Sequence, residues 1–171
     1  MRRLFCTICL LAVCLGLAQA QEKADVEKMK KDRMDNMRLN LKLTSEEAKL
    51  FWPAYGQFLN SEIKCHETYK QNLSKHGINL KEPGKNKEVI EKLSDKNLTY
   101  LQDQKFELRK NLLNLELSFH KKLKTMLTPR HVQDFYQIDE KYKRSMVSKR
   151  KSDAEKKITA PSQVNGGVKR R

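Results

Sequence analysis

Glycine and proline are scarce in this chain, at 6 and 4 of 171 residues, and none of them builds a glycine-rich phosphate loop or a nucleophile elbow. No predicted helix carries Cys-x-x-Cys or His-x-x-x-His spacing, so the common zinc and metalloprotease signatures are missing. No alternating apolar and polar run marks a strand, which leaves an all-α class. Beyond the N-terminal stretch no apolar segment approaches the roughly 20 residues needed to span a bilayer. Cysteine is in effect absent as a framework: Cys6, Cys9 and Cys14 fall in the first 20 residues, leaving Cys65 alone. A single cysteine makes no internal bridge. Cys65 is either a partly buried thiol on a helix or one half of a disulfide between two copies.

Residues 1–20 read as a signal peptide. Arg2 and Arg3 form the positive region, Leu4 to Leu17 the apolar region, and Ala18-Gln19-Ala20 a small-x-small cleavage site. The apolar run is short for an uncleaved anchor. Val13 occupies the place where a lipoprotein motif around Cys14 would have a small residue. An exported chain cleaved after Ala20 is expected, periplasmic in a Gram-negative source. The remainder suits one helical domain over residues 21–150, followed by a disordered basic tail over 151–171.

Positive charge is in excess. The formal net charge is +15, and loss of Arg2 and Arg3 leaves +13. The stretch from Lys149 to Arg171 holds eight Lys/Arg against two Asp/Glu, so +6 resides in the tail and about +7 in the body. Such a surplus draws in anionic partners without naming one.

Two related stretches organise the body. Leu43-Thr44-Ser45-Glu46-Glu47-Ala48 leads into Phe51, Trp52 and Tyr55; a degraded copy, Leu127-Thr128-Pro129-Arg130-His131-Val132, leads into Phe135 and Tyr136. Both read as helix starts. Thr44 with Glu47 three residues later is a capping box. Thr128 is a cap followed by proline at the first helical position, where the missing N–H costs nothing. Phe51, Trp52, Tyr55, Phe135 and Tyr136 follow at helical spacing and are the expected core.

Four helices are predicted. The first covers Glu22 to about Lys42, with Val26, Met29, Arg33, Met37 and Asn40 on one face, too thinly apolar to stand alone. The second runs from Thr44 to about His76, where Gly77 followed by Ile78 suits a Schellman stop; Pro53 within it should cause a kink. A turn-rich break at Asn79 to Lys85 precedes a long third helix from about Asn86 to Met126. Forty residues would make a rod of roughly 60 Å, with Asn97 and Gln104 interrupting its apolar stripe through partial exposure or a register-setting contact. The fourth follows Thr128 and fades by about Lys149. A chain this thin exposes apolar surface unless a second copy covers it.

Candidate chemistry is sparse. The adjacent pair Cys65-His66 points about 100° apart on a helix and rarely shares an ion. His131, three residues after its cap, is better placed for capping than for ligation. Carboxylates lie among lysines and resemble solvated faces; without a dry pocket they form no tuned acid–base pair. The sequence therefore predicts neither an enzyme, nor a cofactor, nor a metal site. Aromatic residues follow the core stripes instead of alternating with lysine, and export argues further against nucleic acid. Asn72 and Asn97 head glycosylation sequons that matter only in a eukaryotic secretory route.

With a signal peptide, four helices and two Leu-Thr caps, the chain resembles the Spy/CpxP family of small periplasmic stress proteins and its paired LTxxQ motif. The matching residues are Leu43, Thr44 and Glu47, and Leu127, Thr128 and His131; Glu47 and His131 stand where the family has glutamine. The run from Glu46 to Tyr55 is similar to the branch described as sensors of extracytoplasmic-function sigma factors. The resemblance spans about residues 25–148. It implies an elongated, curved, hairpin-like homodimeric cradle that holds unfolded envelope proteins without ATP, or a dedicated sensor binding one membrane-bound or anti-sigma partner. A metal-responsive sensor, as in zinc-associated relatives, is disfavoured by the lack of clustered ligands. The client-binding residues are not part of the motif and do not transfer.

Overall fold

The computed structural model describes residues 24–80 and 86–159. The expected signal peptide, most of the turn-rich break and the tail from residue 160 lie outside the described residues. Among these the structure is all-α, with no strand. Helix α1 covers residues 24–40. It is followed by α2 (Ser45–Lys75), α3 (Lys87–Glu91), α4 (Asp95–Met126) and α5 (Pro129–Thr159).

α2 starts and stops where local chemistry dictates. Thr44 sits in extended backbone (φ −66°, ψ 162°) and closes the predicted capping box with Glu47. At the other end Ile78 N–H donates to the Leu73 carbonyl and Gly77 N–H to that of Ser74, each at 2.9 Å. Gly77 adopts φ +71°. That is the complete Schellman pattern, with Leu73 and Ile78 buried together beneath it. Pro53 lies inside α2, where its ring removes the N–H that would have served the Lys49 carbonyl.

The expected unbroken third helix is corrected to two. α3 ends after a single turn, Lys92 and Leu93 N–H groups turn back to the carbonyls of Val89 and Ile90, and Ser94 opens α4 by accepting from Asn97 N–H at 3.4 Å. The cause is the Ser94-Asp95 pair, which favours a cap over a helix interior. Thirty-two residues make α4 about 48 Å long, shorter than the predicted rod. α5, by contrast, runs to Thr159 instead of fading by Lys149. Its last turns lack an apolar face, but they contain neither glycine nor proline, and extending a formed helix requires no new nucleus.

α2 and α4 run antiparallel. Asn72 donates to Gln104 at 3.0 Å, the rings of Phe58 and Phe119 stack at 4.4 Å, and Glu47 meets Thr128 at 3.1 Å just past the end of α4. Gln104 is thus a polar contact between helices. α5 then returns along α1, where Arg33 pairs with Asp139 and the Tyr142 hydroxyl donates to the Met29 carbonyl.

Two apolar clusters result. The larger joins Met37 and Leu41 with Phe51, Tyr55, Phe58 and Leu59 of α2, Phe119 and Leu123 of α4, Leu127 and Phe135. It supplies the larger body against which thin α1 rests. Four rings, Phe51, Tyr55, Phe119 and Phe135, meet at centroid distances of 5.3 to 6.2 Å. Such contacts add about 0.5–1.5 kcal/mol per pair beyond burial. The smaller cluster, Leu73, Ile78 and Leu101, closes the far end. No described helix is long and apolar enough to cross a membrane.

Candidate functional site

The two Leu-Thr motifs, far apart in sequence, meet at one carboxylate. Thr44 N–H donates to Glu47 Oε2 at 3.0 Å and the Thr44 hydroxyl to the same oxygen at 3.1 Å; Glu47 N–H returns to Thr44 Oγ1 at 3.3 Å. At the second motif His131 N–H donates to Thr128 Oγ1 at 3.3 Å. The other half of that box would ordinarily come from the side chain of residue 131. Here it comes from α2: Thr128 N–H donates to Glu47 Oε1 at 3.1 Å. The His131 ring turns to the same oxygen, with Nδ1 at 2.8 Å.

Glu47 is buried. Burial pushes its carboxyl up, but hydrogen bonds from His131, from the Thr44 and Thr128 N–H groups and from the Thr44 hydroxyl outweigh this and hold it at about 2. Glu47 is therefore ionised at neutral pH. An ionised carboxylate has no proton to give, so His131 Nδ1 is the donor. With both oxygens engaged, Glu47 is a fixed anionic joint between two helix N-termini, where negative charge is favoured. It has no free position from which to act as an acid or base.

The flanking residues anchor this joint. Leu127 is buried in the larger cluster and Leu43 packs against it. Phe51, Tyr55 and Phe135 are buried at 0, 0 and 2% exposure, and Trp52 is half-buried against the core beneath the Arg38 guanidinium at 5.4 Å. Tyr136 departs from the expected core position: it is 41% exposed. Consecutive helical residues point about 100° apart, so Phe135 takes the interior and Tyr136 faces outward. Its hydroxyl lies 3.0 Å from His120 Nδ1 on α4.

A second polar centre stands behind the aromatic rings. Arg33 of α1 donates from Nε to Asp139 Oδ1 of α5 at 2.9 Å and also binds Glu62 of α2. Lys143 extends the set, 3.0 Å from Asp139 and 3.6 Å from Glu116 of α4. Four helices thus share one charge network. Burial opposes the charged guanidinium, yet Glu62, Tyr55 and Asp139 raise its pKa further. Burial likewise pushes the Tyr55 hydroxyl up. Between α4 and α5 an open groove of about 260 Å³ is lined by Phe58, Phe119, Phe135, Tyr136 and the carboxylates of Glu116, Asp139 and Glu140, with Lys143 across it.

Neither the shared role of Glu47 nor the Arg33 centre is foreseen by sequence reasoning. A signal for the latter exists: Arg33 falls on the apolar face of α1, between Met29 and Met37, and a charge there needs buried partners. Asp139 likewise shares a helical face with Phe135 and Tyr142. Cys65 is a free, half-buried thiol. Among the described residues no group of three or more His, Cys, Asp or Glu side chains is placed to hold a metal ion. Comparison of the chain with protein-family models, with curated proteins and with solved structures finds no match.

Proposed function

We propose that this chain is an exported, ATP-independent holdase that keeps unfolded envelope proteins from aggregating, in the manner of the Spy/CpxP-like proteins its caps resemble. In this reading the mature chain begins after Ala20, acts in the periplasm and pairs into a homodimeric four-helix cradle. The observation that carries the proposal is the coexistence of wet apolar side chains with a large positive charge. Leu39, Leu50, Phe106, Leu113 and Leu117 are 52 to 72% exposed on a mature chain of net charge +13. Exposed apolar patches mark interaction sites. A positive field speeds encounter with acidic unfolded chains, and apolar contact then retains them. The joint at Glu47 and the Arg33 centre hold the helices together without using those side chains.

Light scattering from a denatured client tests this directly. Suppression of aggregation at stoichiometric to several-fold excess supports the holdase; none at several-fold excess sinks it. Pull-down from envelope extract with a single stoichiometric membrane partner would favour the dedicated sensor instead.

A further inference from the structure

We infer that the methionines of α1 form an oxidant-responsive modification site, at which sulfoxidation undocks this helix from the body. The inference goes beyond the holdase reading and stands without it. α1 carries Met29, Met34 and Met37 within residues 24–40, whereas residues 41–171 hold only Met126 and Met146. Met37 is 1% exposed in the larger cluster, and half-buried Met34 packs against that cluster. The terminal methyl of Met34 lies 3.7 Å from where a Cβ on Gly56 would stand, so it rests close to the α2 backbone. Met29 is 38% exposed, and its carbonyl accepts from the Tyr142 hydroxyl of α5. Leu41, one position past the helix, completes the apolar attachment. α1 thus rests on the body mainly through thioethers and the Arg33 guanidinium.

A thioether is apolar until a two-electron oxidant adds oxygen to it. With hydrogen peroxide the sulfur lone pair attacks one oxygen; the S–O bond forms as the O–O bond breaks. The departing hydroxide takes the proton of the new S–OH group and leaves as water. Sulfur loses two electrons, and the peroxide oxygens gain them. The product oxygen is polar and needs a donor. At Met34 it would face the α2 backbone around Gly56, whose N–H groups are spent within the helix. Leaving it buried without a donor is costly, and lifting α1 into water removes that cost. Exposure sets the order: Met29 and Met34 react first, and Met37 only once the helix has moved. Arg33 lies between these methionines, so its bonds to Asp139 and Glu62 are lost with the docked position. The face uncovered includes the Phe58 ring, now 5.9 Å from the Arg33 guanidinium. Methionine sulfoxide is reduced enzymatically, one reductase serving each epimer, so the change is reversible.

The test treats the mature protein with graded hydrogen peroxide and follows it by peptide mass spectrometry and amide hydrogen exchange. Met29 and Met34 should gain oxygen ahead of Met37. Amides of residues 33–40 should then exchange several-fold faster while those of α4 keep their rates, and anilinonaphthalene sulfonate fluorescence should rise. Treatment with both sulfoxide reductases should restore the starting rates. Met29→Leu/Met34→Leu/Met37→Leu, conservative in volume, should show none of these changes under the same oxidant. It retains Cys65, Met126 and Met146, so an equal response in this variant places the effect there and overturns the assignment. Unaltered protection of residues 33–40 in wild type oxidised at Met29 and Met34 overturns it as well. Met29→Gln/Met34→Gln supplies side-chain polarity without oxidant. Several-fold faster exchange of residues 33–40 is expected in it, and wild-type protection there would refute undocking through polarity.

Discussion

Glu47 and His131 are 84 positions apart in the chain and 2.8 Å apart in space. Each belongs to the first turn of a different helix, and the carboxylate of one completes the cap of the other. The two Leu-Thr motifs therefore form a single structural unit.

Loss of Glu47 should cost more than loss of either threonine. Replacing a capping threonine by alanine typically removes about 1 kcal/mol. Glu47→Ala removes the two bonds that Thr44 donates from its N–H and hydroxyl and leaves the Thr128 N–H and the His131 ring without their acceptor, so about 2–3 kcal/mol is expected. Glu47→Gln keeps one carbonyl oxygen as an acceptor and should lose about half of that. Urea midpoints of Thr44→Ala, Thr128→Ala, Glu47→Gln and Glu47→Ala give the ranking; equal midpoints for Thr44→Ala and Glu47→Ala would contradict a shared joint.

Acid should loosen the same joint. The Glu47 carboxyl is held at about 2, below its ordinary 4.5. A depressed folded-state value contributes stability that is complete above the unfolded value and is lost as pH falls through the folded one. Stability should therefore decline between about pH 5 and pH 2, by about 1–2 kcal/mol after allowance for solvent at the rim of the site. Denaturation of wild type and Glu47→Ala across that range measures it: the gap between them should narrow as pH drops.

The Arg33 centre predicts a non-additive pair. Arg33→Met leaves Asp139 and Glu62 facing the core side of α1 without their cation, which costs about 3 kcal/mol; Lys143, 3.0 Å from Asp139, limits the loss. Arg33→Met/Asp139→Leu removes charge from both sides and should be less destabilised than the sum of its parts. A thermal-denaturation double-mutant cycle reads the coupling, and simple additivity would refute it.

Two glycines should respond to alanine with opposite signs. At Gly77 a Cβ would meet nothing within 4 Å, but φ is +71°, so Gly77→Ala should cost about 1 kcal/mol through backbone strain alone. At Gly56, inside α2, a Cβ would rest 3.7 Å from Met34 Cε, an ordinary contact. Gly56→Ala should then stabilise by about 0.5–1 kcal/mol through helix propensity. Melting temperatures of the two variants on either side of wild type would confirm the pair.

How far these features can be read from residues alone follows from their range. The Thr44 box and the Gly77-Ile78 stop are legible because every partner lies within five positions. Phe51 and Phe135 are legible as core through helical spacing, but spacing does not choose between Phe135 and its neighbour Tyr136. That choice belongs to the packing of α5 against α2 and α4. Ser94 is hidden as a cap because the apolar stripe from Ile90 to Leu101 continues across it and outweighs the capping signal. The contacts of Glu47 with Thr128 and of Arg33 with Glu62 and Asp139 join residues tens of positions apart. No local pattern encodes which two helix ends meet.

The joint at Glu47 also sets an order of events. A chain made from its N-terminus delivers α1 and α2 first, with Glu47 bonded to its own turn and one oxygen still in water. Only when Thr128 and His131 emerge can that oxygen find its partners. Until α5 follows, α1 lacks the Asp139 carboxylate for Arg33, and the aromatic rings of α2 lack Phe135. The last long helix to arrive is the one that ends their exposure.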